Sequence, residues 1–142
     1  WWIIEALTGK IKTLLITEGI LSLSEQQESL LKEWIFQRVK KKKPLQYILG
    51  MVPFCGLELV VKPPVLIPRI ETEEMTAWLI QELQKLNSAK LAILDLCTGS
   101  GCIGLALAAA FPFYQVTAVD YSDAAIALAT ENKNKNNIKN YC

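Results

Sequence analysis

The sequence contains no histidine, so it lacks the side chain that enzymes use most often as a general base near neutral pH. Its four cysteines form no C-x-x-C pair, and a zinc site is therefore not expected. No uninterrupted apolar run reaches the roughly 18 residues that a membrane-spanning helix needs. No basic segment precedes an apolar core at the start of the chain, so no secretory signal is visible. We expect a protein without a metal centre or a membrane anchor.

The remaining composition is that of an ordinary globular protein, because 51% of the 142 residues are hydrophobic and 20% are charged. A net charge of +1 predicts no strong general affinity for nucleic acid or membranes. Cysteines in a turn and in an apolar helix fit the small buried thiols of a reducing compartment. We therefore expect a cytoplasmic protein, or a mitochondrial one if the source is a eukaryote. The first residue is Trp rather than Met, which suggests a chain cut from something longer.

A glycine-bearing turn between an apolar strand and an apolar helix is the most informative segment. The strand ends in Asp95, the turn covers residues 97–101, and the run Cys102 to Phe111 has no polar face, so it predicts a buried helix. At such a helix N-terminus, backbone N–H groups and the helix dipole favour a polar ligand. A second strand, Val116 to Val119, ends in Asp120, whose carboxylate is placed to accept hydrogen bonds from a ribose. The pattern predicts a nucleoside-bearing cofactor across the carboxyl ends of two adjacent parallel strands.

The kind of cofactor follows from the charges around the turn. Gly99, Gly101 and Gly104 match the dinucleotide fingerprint, which keeps NAD open. Asp95, however, would repel a pyrophosphate and favour a ligand that carries an ammonium or sulfonium charge. The pattern therefore favours S-adenosylmethionine over NAD, and a turn that binds nothing is the remaining alternative. The cofactor-binding candidates are Asp95, Cys97, Thr98, Gly99, Ser100, Gly101 and Asp120.

Residues 1–43 are predicted to form a partial N-terminal helical domain. An early apolar segment is broken near Gly9, and Ser24 and Gln27 form a capping-box pattern at the start of a longer helix. The basic run Lys40 to Lys43 follows that helix. Four cations at a helix C-terminus are explained by the helix dipole and by solvation. An RNA contact or an acidic partner is the alternative.

The next stretch, residues 44–67, is predicted to be a β-hairpin linker because strand-forming pieces alternate there with glycine and proline. The pieces are Tyr47–Leu49, Leu57–Val61 and Val65–Ile67.

Residues 68–142 are predicted to form the N-terminal part of an α/β domain. Its first helix is expected to be capped by Thr72 and to bury an apolar stripe. The stripe consists of Met75, Leu79, Leu83 and Leu86. A later helix is expected to be capped by Ser122, and the polar segment from Asn132 to Asn140 is a predicted turn ahead of a third strand.

Five ordered segments carry a family resemblance. The segments are Pro44–Gly50, Phe54–Leu57, Val65–Glu73, Asp95–Gly101 and Ala118–Asp120. Together they resemble the HemK/PrmC family, methyltransferases that modify the glutamine of peptide-chain release factors. The resemblance covers essentially the whole chain. Its Ile-Pro-Arg-x-Glu-Thr-Glu segment is much more specific than the glycine turn, which many methyltransferases share.

The resemblance implies a fold and a set of roles. The fold is an incomplete class I S-adenosylmethionine-dependent methyltransferase (Rossmann-like) domain, preceded by part of a small helical domain and a β-hairpin linker. Cys97 to Gly101 would line the cofactor pocket, and Asp120 would contact the ribose. An active-site loop would be formed by Pro68, Arg69, Glu71 and Thr72. Two positions depart from the family pattern, since Ile70 replaces a frequent Pro and Cys97 a frequent Gly.

The implied reaction is methyl transfer to the N5 amide nitrogen of a release-factor glutamine. The family's Asn-Pro-Pro-Tyr acceptor motif does not occur here, so no catalytic residue is assigned. We expect a fragment truncated at both ends that is weakly active or inactive alone. The expected partner is a release factor, with no stable nucleic acid complex, no membrane, and a monomeric full-length protein. An adenine-N6 nucleic-acid methyltransferase, a dinucleotide-binding oxidoreductase and a non-catalytic binding product are the alternatives.

Overall fold

The computed structural model describes residues 1–18, 22–86 and 90–142. The chain divides into two compact units, Trp1–Leu49 and Gly50–Cys142. The division into three parts at residues 43 and 67 stays a prediction. Within the described ranges, no helix combines the length and the apolar character that crossing a bilayer requires.

The first unit is helical, as the sequence predicts. Its helices are α1 (Trp2–Thr8), α2 (Lys12–Glu18), α3 (Glu25–Val39) and α4 (Leu45–Leu49). Gly9 ends α1 in the left-handed conformation, which confirms the predicted break. The capping box is confirmed as well, because Ser24 Oγ accepts from Gln27 N and Gln27 Oε1 accepts from Ser24 N. Gln27 Nε2 also donates to Leu7 O at 2.7 Å, so the cap joins α3 to α1.

The prediction of a strand at Tyr47–Leu49 is wrong, since these residues lie in α4. Pro44 precedes the helix, and its carbonyl accepts from Ile48 N at 3.2 Å. Proline suits a helix start because its fixed φ is compatible with the first turn, where an N–H would have no intrahelical acceptor. Gly50, at φ 80°, then ends the helix. A short apolar run has no periodicity that distinguishes a strand from a helix, so the flanking proline and glycine determine which one forms.

The second unit begins with a β-hairpin inside the predicted linker, and its second strand is a predicted one, whereas its first strand was not among the predicted pieces. Strands β1 (Met51–Phe54) and β2 (Leu57–Val60) pair antiparallel. They are joined by Cys55 and Gly56, both at positive φ, as a two-residue hairpin turn requires. The strand predicted at Val65–Ile67 is absent, because this segment adopts no ladder pairing. Val65 and Ile67 are nevertheless buried, whereas Leu66 is exposed, and Val65 packs with Ala125 and Leu128.

Two parallel strands form the sheet that positions the candidate site. They are β3 (Ala92–Leu96) and β4 (Gln115–Val119), connected through helix α6 (Cys102–Ala110). The predicted buried character of α6 is confirmed, since Leu105 and Ala108 are at most 1% exposed. Where a third strand was expected, the described residues form an isolated parallel bridge between Val116 and Tyr141, in which Val116 N donates to Asn140 O and Cys142 N donates to Val116 O. Because β3 and β4 are parallel, Asp95 near the end of β3 and Asp120 directly after β4 lie at the same edge of the sheet.

Helix α5 (Ile70–Lys85) starts earlier than predicted, with Arg69 rather than Thr72 as its N-cap. Thr72 lies inside the first turn, where its N–H donates to Arg69 O and its carbonyl accepts from Thr76 Oγ1. The predicted stripe is wrong at Met75 and Leu86, which are 46% and 62% exposed. The fully buried residue of this helix is Thr76, whose hydroxyl is satisfied within its own helix.

Helix α7 (Asp123–Lys135) is capped by Ser122, as predicted, because its hydroxyl accepts from Ala125 N. The turn predicted from Asn132 onward is wrong at its start, since the helix continues through Lys135. Asn132 is completely buried and accepts from Val60 N at 2.6 Å. It also donates to Val60 O at 3.1 Å and to Ser100 O at 2.9 Å. One amide therefore joins α7 to the hairpin and to the glycine turn.

A second asparagine repeats this contact one helical turn later. Asn136 accepts from Glu58 N at 3.2 Å and donates to Glu58 O at 3.0 Å. Glu58 and Val60 are alternate residues of β2, so their N–H and C=O groups point to the same edge of the strand. The two side-chain amides take the place of a neighbouring strand and satisfy an edge that would otherwise be open.

Replacing Asn132 with Ala is expected to lower the free energy of unfolding by about 3 kcal/mol. Three buried backbone groups lose their partner, and each lost hydrogen bond costs about 1 kcal/mol. Urea unfolding followed by far-UV circular dichroism measures the change. Asn134→Ala, an exposed position on the same helix, is the control and should stay within about 0.5 kcal/mol of the unmodified chain. Equal effects of the two variants would contradict the prediction.

Candidate cofactor site

The structure brings two predicted segments together around a cavity of about 200 Å³. One wall is the loop ahead of α5, and the other is the glycine turn with the end of β3. The predicted site residues that line the cavity are Pro68, Arg69, Thr72, Asp95, Cys97, Thr98, Gly99 and Ser100. Glu71, Gly101 and Asp120 lie outside its lining. Apolar neighbours that the sequence did not single out complete it, namely Leu66, Ile67, Leu96, Cys102 and Ile103.

The glycine turn depends on left-handed backbone at three of its five residues. Cys97, Gly99 and Gly101 have φ values of 59°, 58° and 82°. Gly101 has a second constraint, because a Cβ there would lie 2.9 Å from Leu105 Cδ1 and 3.0 Å from Tyr141 Oη. Cys97 adopts a conformation that L side chains avoid, at a typical cost of about 1–2 kcal/mol. This conformation explains why glycine suits the position that Cys97 occupies.

Asp95 is a buried carboxylate with protein donors on one oxygen. Its Oδ2 accepts from Thr98 Oγ1 at 2.6 Å and from Gly104 N at 3.0 Å. Thr98 Oγ1 also lies 2.9 Å from Tyr141 Oη. Threonine has a single hydroxyl proton, which goes to Asp95, so Tyr141 is the donor to Thr98. Because Gly104 is in the first turn of α6, the carboxylate also meets the positive end of that helix.

Tyr141 and Cys102 remain neutral around this carboxylate. Tyr141 is only 3% exposed, and this burial raises its pKa to about 12, with the nearby Asp95 acting in the same direction. Burial likewise raises the pKa of the Cys102 thiol, and Asp95 adds to the increase. Tyr141 therefore stays a hydrogen-bond donor throughout the pH range in which a nucleoside cofactor would bind.

Asp120 connects the end of β4 to the glycine turn. Its Oδ2 accepts from Gly99 N at 2.8 Å, and its Oδ1 accepts from Ser122 N at 2.9 Å. The N–H groups of Ser122 and Gly99 lower the pKa of this carboxyl, so it is ionised at neutral pH. Each carboxylate oxygen can accept two hydrogen bonds, which leaves acceptor capacity for ligand hydroxyls.

Besides these apolar lining residues, two polar residues that support the site were not found from the sequence. Asn132 holds the turn by donating to Ser100 O. Its spacing of four residues from Asn136 is the one sequence feature that could have indicated a helix there, but the segment reads as a polar loop. No sequence pattern indicated a role for Tyr141, because its hydrogen-bond partner Thr98 lies 43 residues earlier in the chain. Contacts of that range are invisible to motif spacing.

Comparisons with known proteins give two family matches. The methyltransferase small domain model matches residues 63–142, and the PrmC N-terminal domain model matches residues 1–50. The chain is 42% identical to the release factor glutamine methyltransferase of Thermodesulfovibrio yellowstonii over 129 residues, which cover 91% of this chain and 46% of that protein. The resemblance that the motifs indicated is confirmed.

Two further relatives show the same pattern. The release factor glutamine methyltransferase of Flavobacterium psychrophilum is 48% identical over 101 residues, 70% of this chain and 35% of that protein. The MTRF1L release factor glutamine methyltransferase of Homo sapiens is 41% identical over 115 residues, 78% of this chain and 34% of that protein. This chain spans less than half the length of each of these three curated relatives.

Replacing Gly104 with Ala is expected to destabilise the second unit by about 1–3 kcal/mol, the usual cost of overpacking. The new Cβ would lie 2.7 Å from Asp95 Oδ2 and 2.7 Å from Tyr141 Cε2. Without that clash, alanine would stabilise a helix by about 1 kcal/mol relative to glycine. Thermal unfolding measures the change, and Ala109→Gly on the exposed side of α6 calibrates the propensity effect. A higher unfolding midpoint for Gly104→Ala would refute the steric argument.

Proposed function

Because the chain belongs to the methyltransferase small domain family, we propose that it binds S-adenosylmethionine across the glycine turn, with the charged end in the cavity beside the loop at Pro68 and Arg69 and the ribose at Asp120, outside the cavity lining. We propose further that it is the cofactor-binding part of an enzyme that methylates the N5 amide of a glutamine in a peptide-chain release factor. The three-part organisation of residues 1–43, 44–67 and 68–142 belongs to this proposal.

The pair of carboxylates at one edge of the sheet carries the proposal. Asp120 is ionised and keeps acceptor capacity, which suits the two hydroxyls of a ribose. Asp95 contributes negative charge to the cavity wall, where it would attract a sulfonium or ammonium group. The same charge would repel a pyrophosphate and therefore disfavours NAD. A ligand with a ribose at one end and a positive charge at the other matches both acids.

The chain's own contribution to the reaction is to bind and orient. When bound, S-adenosylmethionine supplies a methyl group activated by a positively charged sulfur. An amide nitrogen is a weak nucleophile, so alignment is the main source of rate. The loop at Pro68, Arg69 and Thr72 borders the cavity and is the segment best placed to restrict the methyl group's surroundings.

The proposed partner follows from the relatives, and the proposed compartment follows from the state of the cysteines. A release factor is the proposed protein substrate, because curated relatives that are 42% and 48% identical to this chain are named for that activity. The net charge of +1 argues against a stable complex with nucleic acid. All four cysteines are free, which suits the cytoplasm or the mitochondrial matrix. The full-length enzyme is proposed to be a monomer.

Replacing Asp120 with Ala is expected to weaken S-adenosylmethionine binding about ten- to hundredfold, since charge-assisted hydrogen bonds to the ribose are lost. Isothermal titration calorimetry measures the dissociation constant. Asp123→Ala, three residues away and exposed, is the control and should bind as the unmodified chain does. Asp120→Asn separates charge from turn geometry, because an amide oxygen can still accept from Gly99 N. Unchanged affinity of Asp120→Ala, or tighter binding of NAD than of S-adenosylmethionine, would refute the proposed site.

The release-factor part of the proposal is tested with a chimera. This chain aligns with 129 residues of the Thermodesulfovibrio yellowstonii protein, so it can replace the aligned stretch of that enzyme. We expect the chimera to add one methyl group to the release-factor glutamine, seen as a mass gain of one methylene in the tryptic peptide. The same chimera carrying Asp120→Ala should lose most of that activity. A folded chimera that binds the cofactor but leaves the peptide mass unchanged would contradict the assignment of substrate.

A further inference from the structure

We infer that Tyr141 is a positioning residue of the candidate cofactor site, because its hydroxyl fixes, through Thr98, the orientation of the Asp95 carboxylate that faces the positive charge of the ligand. This inference rests on the proposed function and adds to it the residue that sets the preference for a charged sulfur.

The hydrogen bonds around Thr98 have one direction. Thr98 Oγ1 donates to Asp95 Oδ2 at 2.6 Å, so its lone pairs are what it offers to Tyr141 Oη at 2.9 Å. Tyr141 is therefore the donor and Asp95 the final acceptor. A threonine hydroxyl can rotate, and the proton of Tyr141 selects the rotation in which the threonine proton points at Asp95. The Tyr141 hydroxyl thereby sets the orientation of the Asp95 carboxylate, although the two groups share no direct hydrogen bond.

The position of Tyr141 is itself fixed by backbone pairing and by space. The residues on either side hydrogen-bond to β4, since Val116 N donates to Asn140 O and Cys142 N donates to Val116 O. The ring occupies room that two glycines leave open. A Cβ on Gly104 would lie 2.7 Å from Tyr141 Cε2, and one on Gly101 would lie 3.0 Å from Tyr141 Oη. A residue held this closely can transmit its own position to Thr98.

The orientation of Asp95 decides what it offers a ligand. Both hydrogen bonds described for this carboxylate go to Oδ2, from Thr98 and from Gly104 N. Oδ1 is therefore the oxygen with capacity for a charged group in the cavity. Coulomb attraction falls with distance, so a carboxylate that can rotate attracts a sulfonium less than one that is held. A neutral thioether gains nothing from that attraction.

The test compares S-adenosylmethionine with S-adenosylhomocysteine, which differ by the methyl group and its positive charge. Calorimetry on the 142-residue chain gives both dissociation constants for the unmodified protein and for Tyr141→Phe. We expect about a fivefold loss of affinity for S-adenosylmethionine, the size of one neutral hydrogen bond. Affinity for S-adenosylhomocysteine should fall less, because its sulfur is neutral and only the ammonium group that both ligands carry can be attracted by Asp95, so the preference for the charged sulfur falls. A purely structural role would lower both affinities equally.

Three further variants make the comparison decisive. Thr98→Val removes the hydroxyl that links Tyr141 to Asp95. It should lower the preference for S-adenosylmethionine as Tyr141→Phe does, with no further loss in the double variant. Thr98→Ser keeps the hydroxyl and should retain the preference, which also tests this link if Tyr141→Phe fails to fold. Tyr114→Phe is the control, since Tyr114 is buried in the same unit but does not line the cavity. A tyrosine that ionises at about pH 12 should disappear from the alkaline absorbance titration of folded Tyr141→Phe.

The outcomes separate this inference from the proposed function. If the unmodified chain binds neither nucleoside, the proposed function fails and the inference fails with it. If the unmodified chain binds both and the ratio of the two affinities is unchanged in Tyr141→Phe and in Thr98→Val, the inference alone is overturned. A ratio that falls in both variants and is retained in Thr98→Ser establishes the positioning role.

Discussion

The side-chain amide of Asn132 is the contact on which the geometry of the second unit depends. It is completely buried and hydrogen-bonds Val60 through both backbone groups, as well as the carbonyl of Ser100. The hairpin, helix α7 and the glycine turn thus share one anchor. Three elements that are far apart in sequence keep a fixed arrangement only if something rigid connects them. A primary amide does so because it donates and accepts in one plane.

The two acids of the site serve the fold before they serve a ligand. Asp95 accepts from Thr98 and Gly104 N, while Asp120 accepts from Gly99 and Ser122. Both carboxylates therefore hold the turn that lies between them, and neither depends on a ligand for its orientation. This arrangement lowers the cost of binding, since charged groups that are already aligned need no ordering when the ligand arrives.

The sequence predicted the parts of the fold that local rules determine. The capping box of Ser24, the helix break at Gly9 and the parallel strands with their acids were all found from spacing and residue type. Errors arose where local signals were ambiguous or contacts were distant. The residues after Pro44 form a helix rather than a strand. Asn132 lies in a helix rather than a turn, and its side chain hydrogen-bonds a strand residue 72 positions earlier. Propensity carries no information about such partners.

The glycine turn alone does not define its ligand, because the same spacing serves dinucleotides and sulfonium nucleosides. What distinguishes the two is the charge beside the turn and how firmly it is held. Here that charge belongs to Asp95, which is hydrogen-bonded to Thr98, and Thr98 in turn to Tyr141 in the bridge to β4; we propose that this chain of contacts restrains the carboxylate. The motif supplies the backbone that any nucleotide ligand can use, whereas the proposed selectivity comes from side chains brought together by the sheet. In the proposed site the discriminating contacts are tertiary, and they include a residue whose position is set by the pairing of residues 140–142 with β4.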